Sequence, residues 1–150
     1  MTRQKRIHEK PAVYRRAVAA GRIKLRPATV RAIRRGSVEK GDVVPTAELA
    51  GLLAMKRTPE LLPHCHPVPL TGTRVEVTTT SDGVEVEAEA EAIYRTGVEM
   101  EALTGAAVAL LTVWDMVKYL EKNASGNYPT TRLGPIRVVL KEKSSMGAPP

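Results

Sequence analysis

Two neighbouring segments, residues 73–80 and 84–94, alternate between apolar and polar side chains, and this alternation constrains the fold more than any other feature of the chain. In the second segment one set of alternate positions is apolar and the other is acidic: Val84, Val86, Ala88, Ala90 and Ala92 against Glu85, Glu87, Glu89 and Glu91. A period of two places each set on its own face of a strand. The "SDG" link between the segments favours a tight turn. The pattern therefore predicts a β-hairpin with one buried face, and the glutamate row is interpreted as the solvated face.

The longest uncharged apolar-rich run of the chain extends from Ala102 to Trp114 and is apolar almost all the way round a helix. Such a helix is predicted to lie in the centre of the fold. Its thirteen residues fall short of the roughly 20 that a membrane span needs. The first residues also lack the apolar core of a signal peptide. We therefore expect a cytoplasmic protein with no membrane partner.

The other segments predict two further strands and two short helices. We assign a strand to 12–25, a helix to 26–36 ending at Gly36, a helix to 45–57 capped by Thr46, an irregular proline-rich segment to 58–70, a loop to 123–134 and a strand to 135–143. This order indicates an α+β fold, a ferredoxin-like antiparallel sheet with helices packed on one face. We expect one domain, 1–150, whose ends, 1–9 and 144–150, are flexible.

Charge is distributed unevenly along the sequence. Residues 1–40 contain thirteen Lys and Arg against Glu9 and Glu39, a net charge of +11, whereas residues 41–150 have a net charge of −4. A basic N-terminal third favours an anionic partner, either a nucleic acid or a phosphorylated small molecule. With one Trp, four Tyr and no Phe, the chain is poor in the aromatic platforms that stack single-stranded nucleic acid.

The proline-fenced stretch "LLPHCHPVPLTG", residues 61–72, places the only cysteine, Cys65, between His64 and His66. A metal site, a nucleophile with its base and a stiff loop are the three interpretations. Structural zinc sites use four ligands in separated pairs, which this trio lacks. A base adjacent to the cysteine in sequence is poorly placed to activate it. A single functional histidine on a proline-restrained loop remains the most attractive interpretation.

Charged residues border the apolar helix at both ends. Asp115 and Lys118, three residues apart, share a helix face, either as a surface ion pair or as a carboxylate and an ammonium aimed into a site. Glu99 and Glu101 face the same way if their segment is extended and diverge by about 200° if it is helical. Lys40 stands in a loop that matches neither a nucleoside-triphosphate loop nor a dinucleotide fingerprint.

Three stretches together, "EKGDV", "LLPHCHPVPLTG" and "TGVEMEALTGAAVALLTVWDMVKYLEK", resemble the signature blocks of the molybdenum cofactor biosynthesis protein C (MoaC) family, the cyclic pyranopterin monophosphate synthases. The resemblance covers roughly residues 10–141. It implies a ferredoxin-like protomer in a homohexamer, a trimer of dimers with active sites at the dimer interface. It also implies conversion of 3′,8-cyclo-7,8-dihydro-GTP to cyclic pyranopterin monophosphate and pyrophosphate, with no metal and no organic cofactor.

The resemblance also assigns the candidate site residues. Lys118 is the expected acid/base, Asp115 tunes it, and Lys40 completes the catalytic set. The expected substrate-binding residues are His66, Glu99, Glu101, Arg15, Cys65 and Met100. The chain departs from the family at its end, where "KEKSSMGAPP" replaces a Gly-Gly-Lys-Ser-Gly tail, so Lys141, Lys143 and Arg132 are the candidates for the late basic residue.

One alternative of a different class is a small basic nucleic-acid-binding protein. Its helices would be 26–36 and 45–57, which resemble a helix-turn-helix only faintly because their link is long for that motif.

Overall fold

The computed structural model describes residues 1–145, and its elements follow the order expected of a ferredoxin-like chain. They are β1 (Val13–Lys24), α1 (Pro27–Arg35), α2 (Val43–Lys56), α3 (Thr58–Leu61), β2 (Gly72–Thr80), β3 (Gly83–Tyr94), α4 (Glu99–Glu121) and β4 (Arg132–Ser144). The strands form one antiparallel sheet in the order β2-β3-β1-β4. The predicted α+β fold, with helices packed on the sheet, is confirmed.

The predicted hairpin is formed by β2 and β3, which pair from Gly72 opposite Glu91 to Thr80 opposite Gly83. The apolar alternate positions of β3 are at most 3 % exposed. Gly83 is required at the turn because a Cβ there would lie 2.1 Å from the Ile23 carbonyl oxygen of β1. The alternation therefore predicts which face of β3 is buried, and Gly83 lets the start of β3 lie close to β1.

The long helix α4 packs across the sheet and against α2 as the central helix of the core. An 18-residue window of this 23-residue helix has a mean hydropathy of 1.4, so its length and composition alone would allow a membrane span. Half of that window is buried inside the fold. Two glycines allow α2 and α4 to approach closely: a Cβ on Gly51 would lie 2.9 Å from the Gly105 carbonyl oxygen. The apolar composition of α4 is that of a core helix.

The glutamate row of β3 faces away from the helices, as predicted, but it is paired with arginines and only partly exposed. Arg16 of β1 contacts Glu89 at 2.9 Å, and Arg74 of β2 contacts Glu87 at 2.5 Å. Both pairs follow from the strand order, which places the acidic β3 between β1 and β2. The uneven charge seen along the sequence is thus partly neutralised across the sheet.

Two helix predictions are wrong in detail. Thr46 does not cap α2: the helix begins at Val43, and the Thr46 hydroxyl donates to the Asp42 carbonyl oxygen at 2.6 Å from within the first turn. The proline-rich segment is not wholly irregular, because it begins with the single turn α3. In both cases a proline stands in the first turn, where its missing N–H removes no helix hydrogen bond.

The last strand is longer than predicted at both ends. It begins at Arg132 rather than 135, because Arg132 and Leu133 pair with Lys24 and Ile23 of β1. It continues to Ser144, which pairs with Tyr14. The rest of the predicted flexible tail, 146–150, lies outside the described residues.

Candidate active site

The proline-fenced segment, residues 96–97 and the start of α4 border an open cavity of about 470 Å³. Four of the predicted substrate-binding residues line it: Cys65, His66, Glu99 and Met100. His64 lines it as well. A cleft of this size suits a small organic ligand. We refer to it as the His66 cavity.

Glu101 lies behind the His66 cavity in the core, only 2 % exposed. Because α4 begins at Glu99, Glu99 and Glu101 are both helical, so their side chains diverge. Only Glu101 points into the core. The Cys65 thiol approaches its Oε1 at 3.8 Å, and its buried Oε2 has no hydrogen-bond partner among residues 1–145. Burial raises the pKa of Glu101 to about 7 and the pKa of the Cys65 thiol to about 11. At neutral pH Cys65 is therefore a thiol, and Glu101 is poised between its charged and neutral forms.

The raised pKa of Glu101 predicts a pH-dependent stability. A carboxyl that binds its proton more tightly when folded stabilises the fold at low pH, and that stability is lost as pH rises from about 4.5 to about 7. Glu101→Gln removes this titration. The free energy of unfolding of the variant, relative to the parent, should therefore be higher at about pH 8 than at about pH 5 by on the order of 1–3 kcal/mol. Urea unfolding at both pH values measures this. Glu60→Gln, an exposed control, should show no such gain, and equal pH slopes for the parent and Glu101→Gln would refute the prediction.

The N-terminal segment lies against the His66 cavity. The Lys5 carbonyl oxygen is 2.5 Å from Nε2 of His66, and Arg95 donates to the carbonyl oxygens of His8 and Lys10, each at 2.8 Å. Burial, followed by the charges of Arg15 and its neighbours, lowers the pKa of Lys10. Sequence reasoning missed Lys5 and Arg95, because carbonyl contacts to a chain terminus leave no signal in the sequence.

Cations from the sheet reach the same end of the fold. Arg15 is 7 % exposed and donates from Nε to the Tyr94 carbonyl oxygen at 3.1 Å. Lys143 pairs with Arg15 in the strand register, and Lys141 contacts Glu99 at 3.2 Å. Arg132 lies at the far end of β4, opposite Lys24. Of the three late basic candidates, Lys141 and Lys143 therefore lie beside the cavity and Arg132 does not.

The predicted catalytic residues form a second cluster near the other end of α4. The Lys40 ammonium donates to Oδ2 of Asp115 at 3.0 Å and to the Asp115 carbonyl oxygen at 3.1 Å. The Lys118 ammonium contacts Oδ1 of Asp115 at 3.2 Å. Hydrogen bonds from Lys40 and then Lys118 lower the pKa of Asp115. All three side chains are about half exposed, so their charged ends are available to a ligand. We refer to them as the Lys118 cluster.

The two sets of residues do not meet within one chain. Glu99 and Asp115 are sixteen residues apart on one helix, and at about 1.5 Å per residue this separates them by about 24 Å. Across residues 1–145, no group of three or more His, Cys, Asp or Glu side chains converges as a metal site would. A second cavity, of about 380 Å³ on the outer face of the sheet, contains none of the predicted site residues.

The comparison with known proteins covers nearly the whole chain. The MoaC family model matches residues 5–144. The chain is 55% identical over 138 residues to a "Probable cyclic pyranopterin monophosphate synthase" of Pyrococcus abyssi, covering 92% of this chain and 87% of that protein. It is 53% identical over 138 residues to a protein of the same name from Sulfolobus acidocaldarius, covering 92% and 96%. These relatives carry the name that the sequence resemblance implied.

Proposed function

The chain belongs to the MoaC family, and from that membership we propose that it is a cyclic pyranopterin monophosphate synthase, a lyase of molybdenum cofactor biosynthesis. Its substrate is 3′,8-cyclo-7,8-dihydro-GTP, and its products are cyclic pyranopterin monophosphate and pyrophosphate. The observation that carries the proposal is 55% identity over 92% of the chain to a relative of that name. The sequence resemblance to the family is thereby confirmed.

The phosphorus chemistry of this reaction needs cations. A substrate hydroxyl gives its proton to a general base as its oxygen forms a bond to the α-phosphorus, the bond from that phosphorus to the bridging oxygen breaks, and pyrophosphate departs with the electron pair. Positive groups fixed where this negative charge develops stabilise the transition state. Two groups of cations support the stabilisation of this charge. One lies around the His66 cavity and comprises Lys10, Arg15, Lys141 and Lys143, and the other is Lys40 in the Lys118 cluster.

Rearranging a purine-derived ring requires repeated proton transfers between carbon, nitrogen and oxygen. We assign Lys118 as the main acid/base and Asp115 as the carboxylate that holds its ammonium in place. Glu101 would support the pocket from behind, where the Cys65 thiol lies 3.8 Å from its Oε1. His66, Glu99, Cys65 and Met100 line the pocket that would hold the substrate.

We further propose that each active site is shared by two chains of a homohexamer, a trimer of dimers. One chain would supply the Lys118 cluster and its partner the His66 cavity, because about 24 Å separates the two sets within a chain. Exposed leucines support a covering subunit: Leu111 of α4 is 53% exposed one turn before Asp115, and Leu49 of α2 is 58% exposed. The site would thus be complete only after assembly.

The remaining expectations are part of the same proposal. The protein acts in the cytoplasm on a small molecule, without a metal or organic cofactor and without a membrane or nucleic-acid partner. A nucleic-acid surface is less well supported, because Arg16 and Arg22 of the basic N-terminal third already contact carboxylates.

The proposal is tested by incubating the purified protein with enzymatically generated 3′,8-cyclo-7,8-dihydro-GTP, in the presence of EDTA and without added metal. We expect cyclic pyranopterin monophosphate and pyrophosphate in equal amounts. Activity only after zinc addition would contradict the metal-free proposal. No product with or without zinc would contradict the assigned reaction.

A further inference from the structure

The loop that carries Lys40, residues 36–42 between α1 and α2, lies against the C-terminal half of α4. The loop starts at Gly36, whose φ of +67° ends α1, and it turns again where the Gly41 N–H donates to the Val38 carbonyl oxygen at 3.0 Å. Val38 is buried and anchors one side of this turn. The Lys40 side chain itself is 45% exposed, so packing alone does not fix its ammonium.

One hydrogen bond from α4 to the loop backbone holds the turn beside Asp115. The Glu39 N–H donates to the hydroxyl oxygen of Tyr119 at 2.8 Å. In the part of the chain that the structure describes, the other hydrogen bonds from this loop to α4 are the two that the Lys40 ammonium makes to Asp115. Tyr119 is therefore the group outside the Lys118 cluster that ties the Lys40 backbone to α4.

The placement of Tyr119 on α4 suits this task. It lies four residues after Asp115, so the two side chains share a helix face. Its hydroxyl contacts the residue immediately before Lys40. One face of α4 thus makes both contacts. Tyr119 binds the loop backbone, and Asp115, one helical turn earlier, binds the Lys40 side chain.

We propose that Tyr119 is a positioning residue of the active site, whose hydroxyl holds the Val38–Gly41 turn so that the Lys40 ammonium stays on Asp115. The expected effect on turnover rests on the proposed function, whereas the expected effect on the Lys40–Asp115 contact does not. Tyr119 does not touch substrate in this role. It acts by fixing a lysine that otherwise would sample many rotamers, and misplaced catalytic groups cost rate without loss of fold.

The test is Tyr119→Phe, which removes the hydroxyl and keeps the ring. We expect the pKa of Asp115 to rise toward its ordinary value, because the Lys40 hydrogen bond is the largest cause of its depression. The chain has three aspartates, Asp42, Asp82 and Asp115, so ¹³C-carboxyl titration of aspartate-labelled protein resolves it, with Asp115→Asn for assignment. Turnover should fall about tenfold with an unchanged melting temperature.

Two further variants separate positioning from general loosening. In a Lys40→Met background, Tyr119→Phe should not move the pKa of Asp115 any further, since the group that it positions is gone. Tyr128→Phe is the matched control, because the structure gives its ring an edge contact with Trp114 and its hydroxyl no hydrogen bond within residues 1–145. It should leave both the pKa of Asp115 and turnover unchanged.

The outcomes are distinct from those that decide the function. An unmoved Asp115 pKa in Tyr119→Phe, an equal shift in the Lys40→Met background, or a shifted pKa with full turnover would each overturn the positioning role. If the parent makes no cyclic pyranopterin monophosphate, the proposed function fails, and the titration still decides whether Tyr119 positions Lys40.

Discussion

Replacing Lys118 with alanine is expected to reduce turnover about a thousandfold, the middle of the range for loss of a general acid/base. The Lys118 ammonium lies 3.2 Å from Asp115, whose other carboxylate oxygen is held by Lys40. This arrangement fixes the ammonium in direction while leaving its charged end exposed to a ligand. Removing it leaves substrate binding groups in place, so the loss should appear in kcat rather than in KM.

A charge-matched control distinguishes this role from a general effect of removing a surface lysine. Lys122→Ala, one turn further along the chain, removes an exposed lysine for which the structure gives no carboxylate partner within residues 1–145. It should retain parental turnover. Both variants should keep the parental assembly on size-exclusion chromatography. A Lys118→Ala variant within about threefold of the parent would exclude Lys118 as the acid/base.

The largest stability effect is expected from Glu121→Ala. Glu121 is fully buried at the end of α4, and its carboxylate accepts hydrogen bonds from the Arg26 N–H at 3.1 Å, from the Thr131 hydroxyl at 2.6 Å and from the Thr29 hydroxyl. The carboxylate thereby binds the N-cap backbone of α1, although it comes from α4, and it also binds the segment before β4 through Thr131. Alanine leaves buried donors unsatisfied, which should lower the free energy of unfolding by about 3–5 kcal/mol.

Urea unfolding at fixed protein concentration measures this loss, and the melting temperature should fall by about 10 °C. Glu60→Ala, on the exposed side of α3, is the matched control and should change stability by less than about 0.5 kcal/mol. Parental stability in Glu121→Ala would show that the carboxylate does not link α4 to α1 and to the segment before β4.

Much of the fold could be predicted because local patterns and tertiary packing agree. The alternation of β3 and the apolar run of α4 each leave one arrangement that buries their surface, and both elements form as predicted. The errors concern the ends of helices and strands. Thr46 and the first residues of β4 were misassigned because a boundary depends on which partner strand or turn is available, which a window of sequence does not contain.

The candidate site was only partly predictable from residue types. Lys40, Asp115 and Lys118 meet as one cluster, and four of the six predicted binding residues line one cavity. The burial of Glu101 was not predicted, because a glutamate in the first turn of a helix equally suits the helix dipole. The hydroxyl of Tyr119 and the carbonyl of Lys5 act through contacts between segments distant in sequence, which no spacing rule encodes.

The central claim, a synthase whose active site is shared between chains, is tested most directly by mixing two inactive variants. In the proposed site, Lys118→Ala lacks the acid/base, and His66→Ala lacks a cavity residue that the other chain would contribute. After subunit exchange, verified with two different affinity tags, each mixed dimer contains one intact site. The mixture should therefore recover up to about a quarter of parental synthase activity. A verified mixed assembly with no activity above that of its components would contradict the shared site.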